Sequence, residues 1–76
     1  MGEQGETVRV PAGVYRGLMA VRHSGRTNML EVGTVQHVAN ELGHHDAAGW
    51  IKVNRSAYAR GVYNGFEVAD MGAGEG

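Results

Sequence analysis

The stretch Thr34-Val35-Gln36-His37-Val38-Ala39-Asn40-Glu41-Leu42-Gly43 decides the fold. Val35, Val38, Ala39 and Leu42 fall at i, i+3, i+4 and i+7, the spacing that lines one face of an α-helix. Thr34 or a near neighbour starts this helix. Gly43 ends it, because glycine enters the left-handed conformation of a helix stop without steric cost.

Toward the N-terminus, Ser24-Gly25-Arg26-Thr27-Asn28 is built of turn and capping residues, and Met29, Leu30 and Val32 after it are expected to tuck inward. Before that loop, Val14, Leu18 and Val21 recur at i, i+4 and i+7 with Tyr15 and Met19 alongside, which predicts a helix over residues 11–23. Pro11 suits its first position and Gly25 its stop. Gly13 and Gly17 weaken such a helix by up to about 1 kcal/mol each, so their missing side chains point to close packing. Residues 7–10 alternate polar and β-branched apolar side chains and read as extended.

Toward the C-terminus, Asp46 caps a short third helix through Ala47, Trp50, Ile51 and Val53. Asn54 or Ser56 starts a fourth with Tyr58, Ala59, Val62 and Tyr63, joined tightly to the third. Phe66-Glu67-Val68 extends again and is expected to pair with residues 7–10 of the same chain or of a second copy. The fold class is all-α, a compact bundle of three or four short helices with short extended segments at both ends. One helical domain, residues 8–68, sits between a flexible acidic segment, 1–7, and a disordered tail, 69–76, rich in Gly and acids.

Composition narrows the chemistry. A chain of 76 residues removes only about 60% of its unfolded surface from water, which disfavours a deep catalytic cleft and favours self-association. With no Cys there are no disulfides, thiolate nucleophiles or Cys-ligated metals. No apolar run approaches the roughly 20 residues of a membrane span, and the polar, acidic start lacks a signal-peptide pattern. A cytoplasmic protein with no membrane partner is expected.

The net charge of −1 conceals an asymmetry. Five of the eight acids lie at the ends, whereas residues 8–66 hold all seven basic residues against Glu31, Glu41 and Asp46, a balance of +4. Six of those cations are Arg, whose planar fork suits carboxylates and phosphates. If Arg16, Arg22, Arg26, Arg55 and Arg60 shared one face, that face could hold nucleic acid. The helix-turn-helix motif fits only in its first half. Val38-Ala39 and Leu42-Gly43 match, but the two inward positions of a recognition helix would then fall on Gly49 and Lys52.

Catalytic and metal patterns are weak. His37, Glu41, His44, His45 and Asp46 form the densest group of potential ligands, yet Gly43 interrupts the helix that a His-Glu-x-x-His site needs. His23 and Ser24 are adjacent, so on a helix they diverge by about 100° and make no dyad. The loop of Ser24, Gly25, Thr27 and Asn28 could cradle a phosphate, but without the full P-loop pattern its expected role is structural, capping and orienting two helices. No enzyme activity, cofactor or metal is expected.

Val-Pro-x-x-Val-Tyr at residues 10–15, the run from Ala20 to Met29 containing Arg22-x-Ser24-Gly25-x-Thr27-Asn28-Met29, and Trp50-Ile51 with Tyr58-Ala59-Arg60-Gly61-Val62-Tyr63-x-Gly65-Phe66 carry a family resemblance. Over residues 8–68 the chain resembles DUF5049, a family of small uncharacterised proteins. The resemblance implies a short helical protein, often encoded by phages and other mobile elements, with an accessory or regulatory role. It offers no catalytic residues. Where relatives place an acid and then Pro after this loop, Glu31 is followed by Val32 and Gly33.

These readings converge on a small non-enzymatic binding or adaptor module of viral or mobile-element type. It is expected to act on a protein partner through Trp50, Tyr58, Tyr63 or Phe66 with Arg at the rim, and to form a homodimer. The alternative is a nucleic-acid-binding regulator using the Arg residues.

Overall fold

Helix stops, rather than helix starts, organise this chain, because three glycines at positive φ, Gly25, Gly43 and Gly65, each follow a helix end. The computed structural model describes residues 6–69. In order, the elements are β1 (Val8–Val10), α1 (Ala12–Ser24), α2 (Val32–Glu41), α3 (His45–Val53), α4 (Arg55–Asn64) and β2 (Phe66–Val68). The expected flexible segment and tail fall mostly on residues 1–5 and 70–76, outside the described residues. Ala69 belongs to the ordered fold, donating its N–H to the Val10 carbonyl at 2.9 Å.

Pro11 precedes α1 with extended backbone, and its carbonyl accepts the Tyr15 N–H at 2.9 Å. Gly25, at φ 67°, closes the helix by donating to the Arg22 carbonyl. The following turn is organised by Asn28, whose Oδ1 accepts the Leu30 N–H at 2.8 Å while its carbonyl accepts the Glu31 N–H at 2.9 Å. That turn makes Glu31 the cap, so α2 begins at Val32, two residues before Thr34. Met29 and Val32 pack on the core as expected, but Leu30 is 49% exposed. With its N–H held by Asn28, Leu30 sits on the outside of the turn while its neighbours fill the inside.

The end of α2 is a Schellman closure, with the His44 N–H donating to the Ala39 carbonyl at 2.8 Å across Gly43 at φ 89°. Leu42 lies beyond the last helical residue and is 39% exposed, so the buried stripe ends at Val35, Val38 and Ala39. Because the closure uses His44, α3 starts at once with His44 as its cap. Asp46 is therefore a first-turn residue, not the cap; its carboxylate accepts the Ala47 N–H at 2.9 Å and favours the positive end of the helix. Asn54 alone joins α3 to α4. Its N–H and side-chain amide donate to the Trp50 carbonyl, and its carbonyl accepts the Tyr58 N–H.

The core comprises Val10, Val14, Leu18, Val21, Val35, Val38, Ala39, Ala47, Ala48, Ile51 and Tyr58. The glycines of α1 turn toward α3. A Cβ on Gly17 would lie 2.5 Å from the Ala47 Cβ, and one on Gly13 would strike the Asp46 carboxylate. Close packing, the role expected of them, requires Gly17 to lack a side chain, whereas at Gly13 only the mobile end of the exposed Asp46 side chain is in the way. β1 and β2 pair in parallel with Val8 opposite Phe66, Arg9 opposite Glu67 and Val10 opposite Val68, and all four helices form the crossover between them. The pair belongs to one chain. Arg9 and Glu67 bond across its outer face at 3.0 Å, and Arg9, then Thr7, hold the Glu67 carboxyl below its usual range.

Candidate binding groove between α1 and α4

Tyr15, Met19 and Arg22 are spaced i, i+4 and i+7, which sets them along one flank of α1 beside the buried Val14, Leu18 and Val21. With Met29 from the loop, Gly61, Val62 and Gly65 at the end of α4, and Phe66 at the start of β2, they line a groove of about 360 Å3. Tyr15, Met19, Met29, Val62 and Phe66 are half-buried and pack against the core, except that Met19 is not part of that cluster. The groove is apolar apart from the Arg22 guanidinium and the Tyr15 hydroxyl. Among the described residues Arg22 has no ion-pair partner.

Gly61 makes this arrangement possible. A Cβ there would run into the Phe66 ring, so the ring lies directly on the backbone of α4. Phe66 is also tilted against Tyr58, with ring centroids 5.8 Å apart, and meets Trp50 edge-on at 6.3 Å. Tyr58 is 0% exposed and donates its hydroxyl to the Met29 carbonyl, tying the loop that bounds the groove to α4. Burial pushes its hydroxyl up to about 12.

Of the aromatic residues singled out in the sequence, Trp50 and Tyr58 both pack against Phe66, and Tyr63 stands apart from them. Tyr58 lies in the core and presents no surface, since its side chain fills the space between β2 and the loop after α1. Trp50 is half-buried and packs on the core, Phe66 lines the groove, and Tyr63 is 76% exposed. Tyr58 thus takes no part in any surface the other three present. Tyr58 and Tyr63 are five residues apart on one helix, about 140° around its axis, which alone sends them to different sides.

The Arg residues separate as well. Arg22 lines the groove, whereas Arg26 donates to Glu41, whose carboxyl is held below its usual range by Arg26 first and His37 second. Arg16, Arg55 and Arg60 are exposed. On one helix, Arg55 and Arg60 point about 140° apart and Arg16 and Arg22 about 120° apart. In α3 the buried positions are Ala47, Ala48 and Ile51, while Gly49 and Lys52, the inward positions of a helix-turn-helix register, are exposed.

In the loop, the Ser24 hydroxyl donates to the Val21 carbonyl at 2.6 Å and accepts the Arg26 N–H at 3.1 Å, and Thr27 donates to the Asn28 carbonyl at 3.3 Å. With Gly25 left-handed and Asn28 organising the next turn, these polar groups brace the backbone between α1 and α2. His37 pairs with Glu41 at 3.1 Å and His45 with Asn40 at 2.7 Å; no group of three or more ligating side chains is assembled for a metal among the described residues. Nor is any helix among them long and apolar enough to cross a membrane.

The groove residues Tyr15, Met19, Met29 and Val62 were not singled out as a site in the sequence. The signal was present in α1, where Tyr15 and Met19 widen the apolar arc past what the core covers. No curated protein and no solved structure matches the chain. The model of a family described as Domain of unknown function (DUF5049) matches residues 12–67, from the start of α1 into β2 and including every groove residue, and the chain belongs to that family.

Proposed function

We propose that the chain is a non-enzymatic binding module that acts through protein contacts, with the groove between α1 and α4 as its contact face. The observation that carries this reading is the groove itself. Its walls carry adaptable Met and aromatic side chains, and one guanidinium, unpaired among the described residues, stands in its lining. Its titratable side chains are Arg22 and Tyr15, which supply no carboxylate or imidazole for acid–base chemistry. An accessory role in a virus or mobile element is supported by the family resemblance alone.

Random peptides displayed on phage and selected on the folded protein test the reading. Enrichment on wild type that is lost on Met19→Lys and Val62→Lys, with unchanged far-UV circular dichroism, supports it. Failure to enrich on a wild type that is monomeric, or enrichment indifferent to both substitutions, overturns it. A duplex of random DNA, titrated at about 50 and 200 mM salt, should show no steeply salt-dependent binding. Such binding would favour a nucleic-acid regulator instead.

A further inference from the structure

We infer that the occupant of the groove is a second copy of this chain, which inserts Leu30 while its Glu31 pairs with Arg22. The inference rests on reading the groove as a protein-contact face. Leu30 is the large apolar side chain that the turn after α1 turns outward, at 49% exposure, and Glu31 beside it is exposed with no ion-pair partner among the described residues. Arg22, the groove's one cation, also lacks a partner there. An exposed leucine with an adjacent carboxylate is the chemical complement of an apolar groove with a guanidinium.

The plug and the socket are contiguous. Met29 lines the groove, and Leu30 and Glu31 follow it directly. A two-fold axis near Met29 therefore brings each copy's Leu30 toward the other's Tyr15, Met19 and Phe66, and each Glu31 toward the other's Arg22. This satisfies the rule of an isologous contact, that a single patch be complementary to itself. A foreign apolar peptide would fill the socket and leave Leu30 in water; a second copy covers both. Asn28 fixes the plug, since its side chain holds the Leu30 N–H and its carbonyl the Glu31 N–H.

Sedimentation velocity of the whole chain, from micromolar to millimolar concentration, tests the inference. Wild type is expected to dimerise reversibly. Leu30→Asp should remain monomeric, and Arg22→Glu and Glu31→Arg should each raise the dimer dissociation constant about tenfold or more through like-charge contact. The double variant Arg22→Glu/Glu31→Arg should restore association, which a substitution that merely damaged the fold could not do. All the substituted residues are exposed, and circular dichroism checks that each variant folds. A wild type that stays monomeric overturns the inference, as does a dimer that survives Leu30→Asp and both charge reversals. If that monomer still selects peptides dependent on Met19 and Val62, the second copy is wrong and the contact face stands. If it selects none, both fall.

Discussion

The two flanks of α1 have opposite packing. On one, Gly13 and Gly17 face the start of α3, so close at Gly17 that no Cβ fits; on the other, Tyr15, Met19 and Arg22 stand between α1 and α4 and leave a groove. The same thirteen-residue helix thus builds a contact and an opening by alternating what it carries. Bare backbone lets neighbouring helices approach, whereas long side chains hold them apart and keep part of their own surface available. Stability should therefore reside on the glycine flank and binding on the other.

The largest effect is expected from breaking the tight flank. Gly17→Val drives a side chain into Ala47 and His44, and should destabilise the fold by about 3 kcal/mol in urea unfolding. Met19→Ala, two residues on and so on the open flank, should cost about 1 kcal/mol because its side chain is only half-buried. Equal losses would refute the division between the flanks.

Tyr58→Phe sharpens the comparison from the groove side. It leaves the Met29 carbonyl without its donor and should cost about 1–3 kcal/mol. It should also change the alkaline limit of stability. Folding raises the Tyr58 hydroxyl from 10.0 to about 12, so the folded state keeps a proton that the unfolded chain loses. The stabilisation is full below pH 10.0 and falls as pH rises toward 12, by up to about 3 kcal/mol. Urea unfolding at a series of alkaline pH values should show that fall in wild type and not in Tyr58→Phe.

The smallest effect concerns the exposed brace of Arg26, Glu41 and His37. The Glu41 carboxyl is held below 4.5, so its contribution is present above that pH and lost as pH falls through the lower folded value. Glu41→Gln should flatten this acid-side slope with little change at neutral pH, because exposed pairs are screened by water. A large loss at neutral pH would mean that this brace, rather than the buried stripe of Val35, Val38 and Ala39, anchors α2.

Periodicity made much of this fold legible. The stripes of α1 and α2 stand out because their spacing reports which residues share a face, and Gly13 and Gly17 marked a close approach. The start of α2 was harder to read, since its cap is set by a turn built on Asn28 rather than by a capping side chain. Leu30 and Leu42 are apolar by composition and exposed by position, one on the outside of a turn and the other past a helix end. The groove was least legible. Periodicity says which way a side chain points from its own helix, but the gap between α1 and α4 depends on how far the helices stand apart, and Gly61 and Phe66 decide that only once folded.

The parallel pairing of β1 with β2 also bears on the order in which the protein can be made. Synthesis proceeds from the N-terminal end, so β1 is the first of the six elements to leave the ribosome and β2 the last. Each of α2, α3 and α4 meets a helix made before it, but β1 waits for a partner beyond all of them. Phe66 arrives with that partner. The groove, which Phe66 lines, is therefore complete only when the last strand docks.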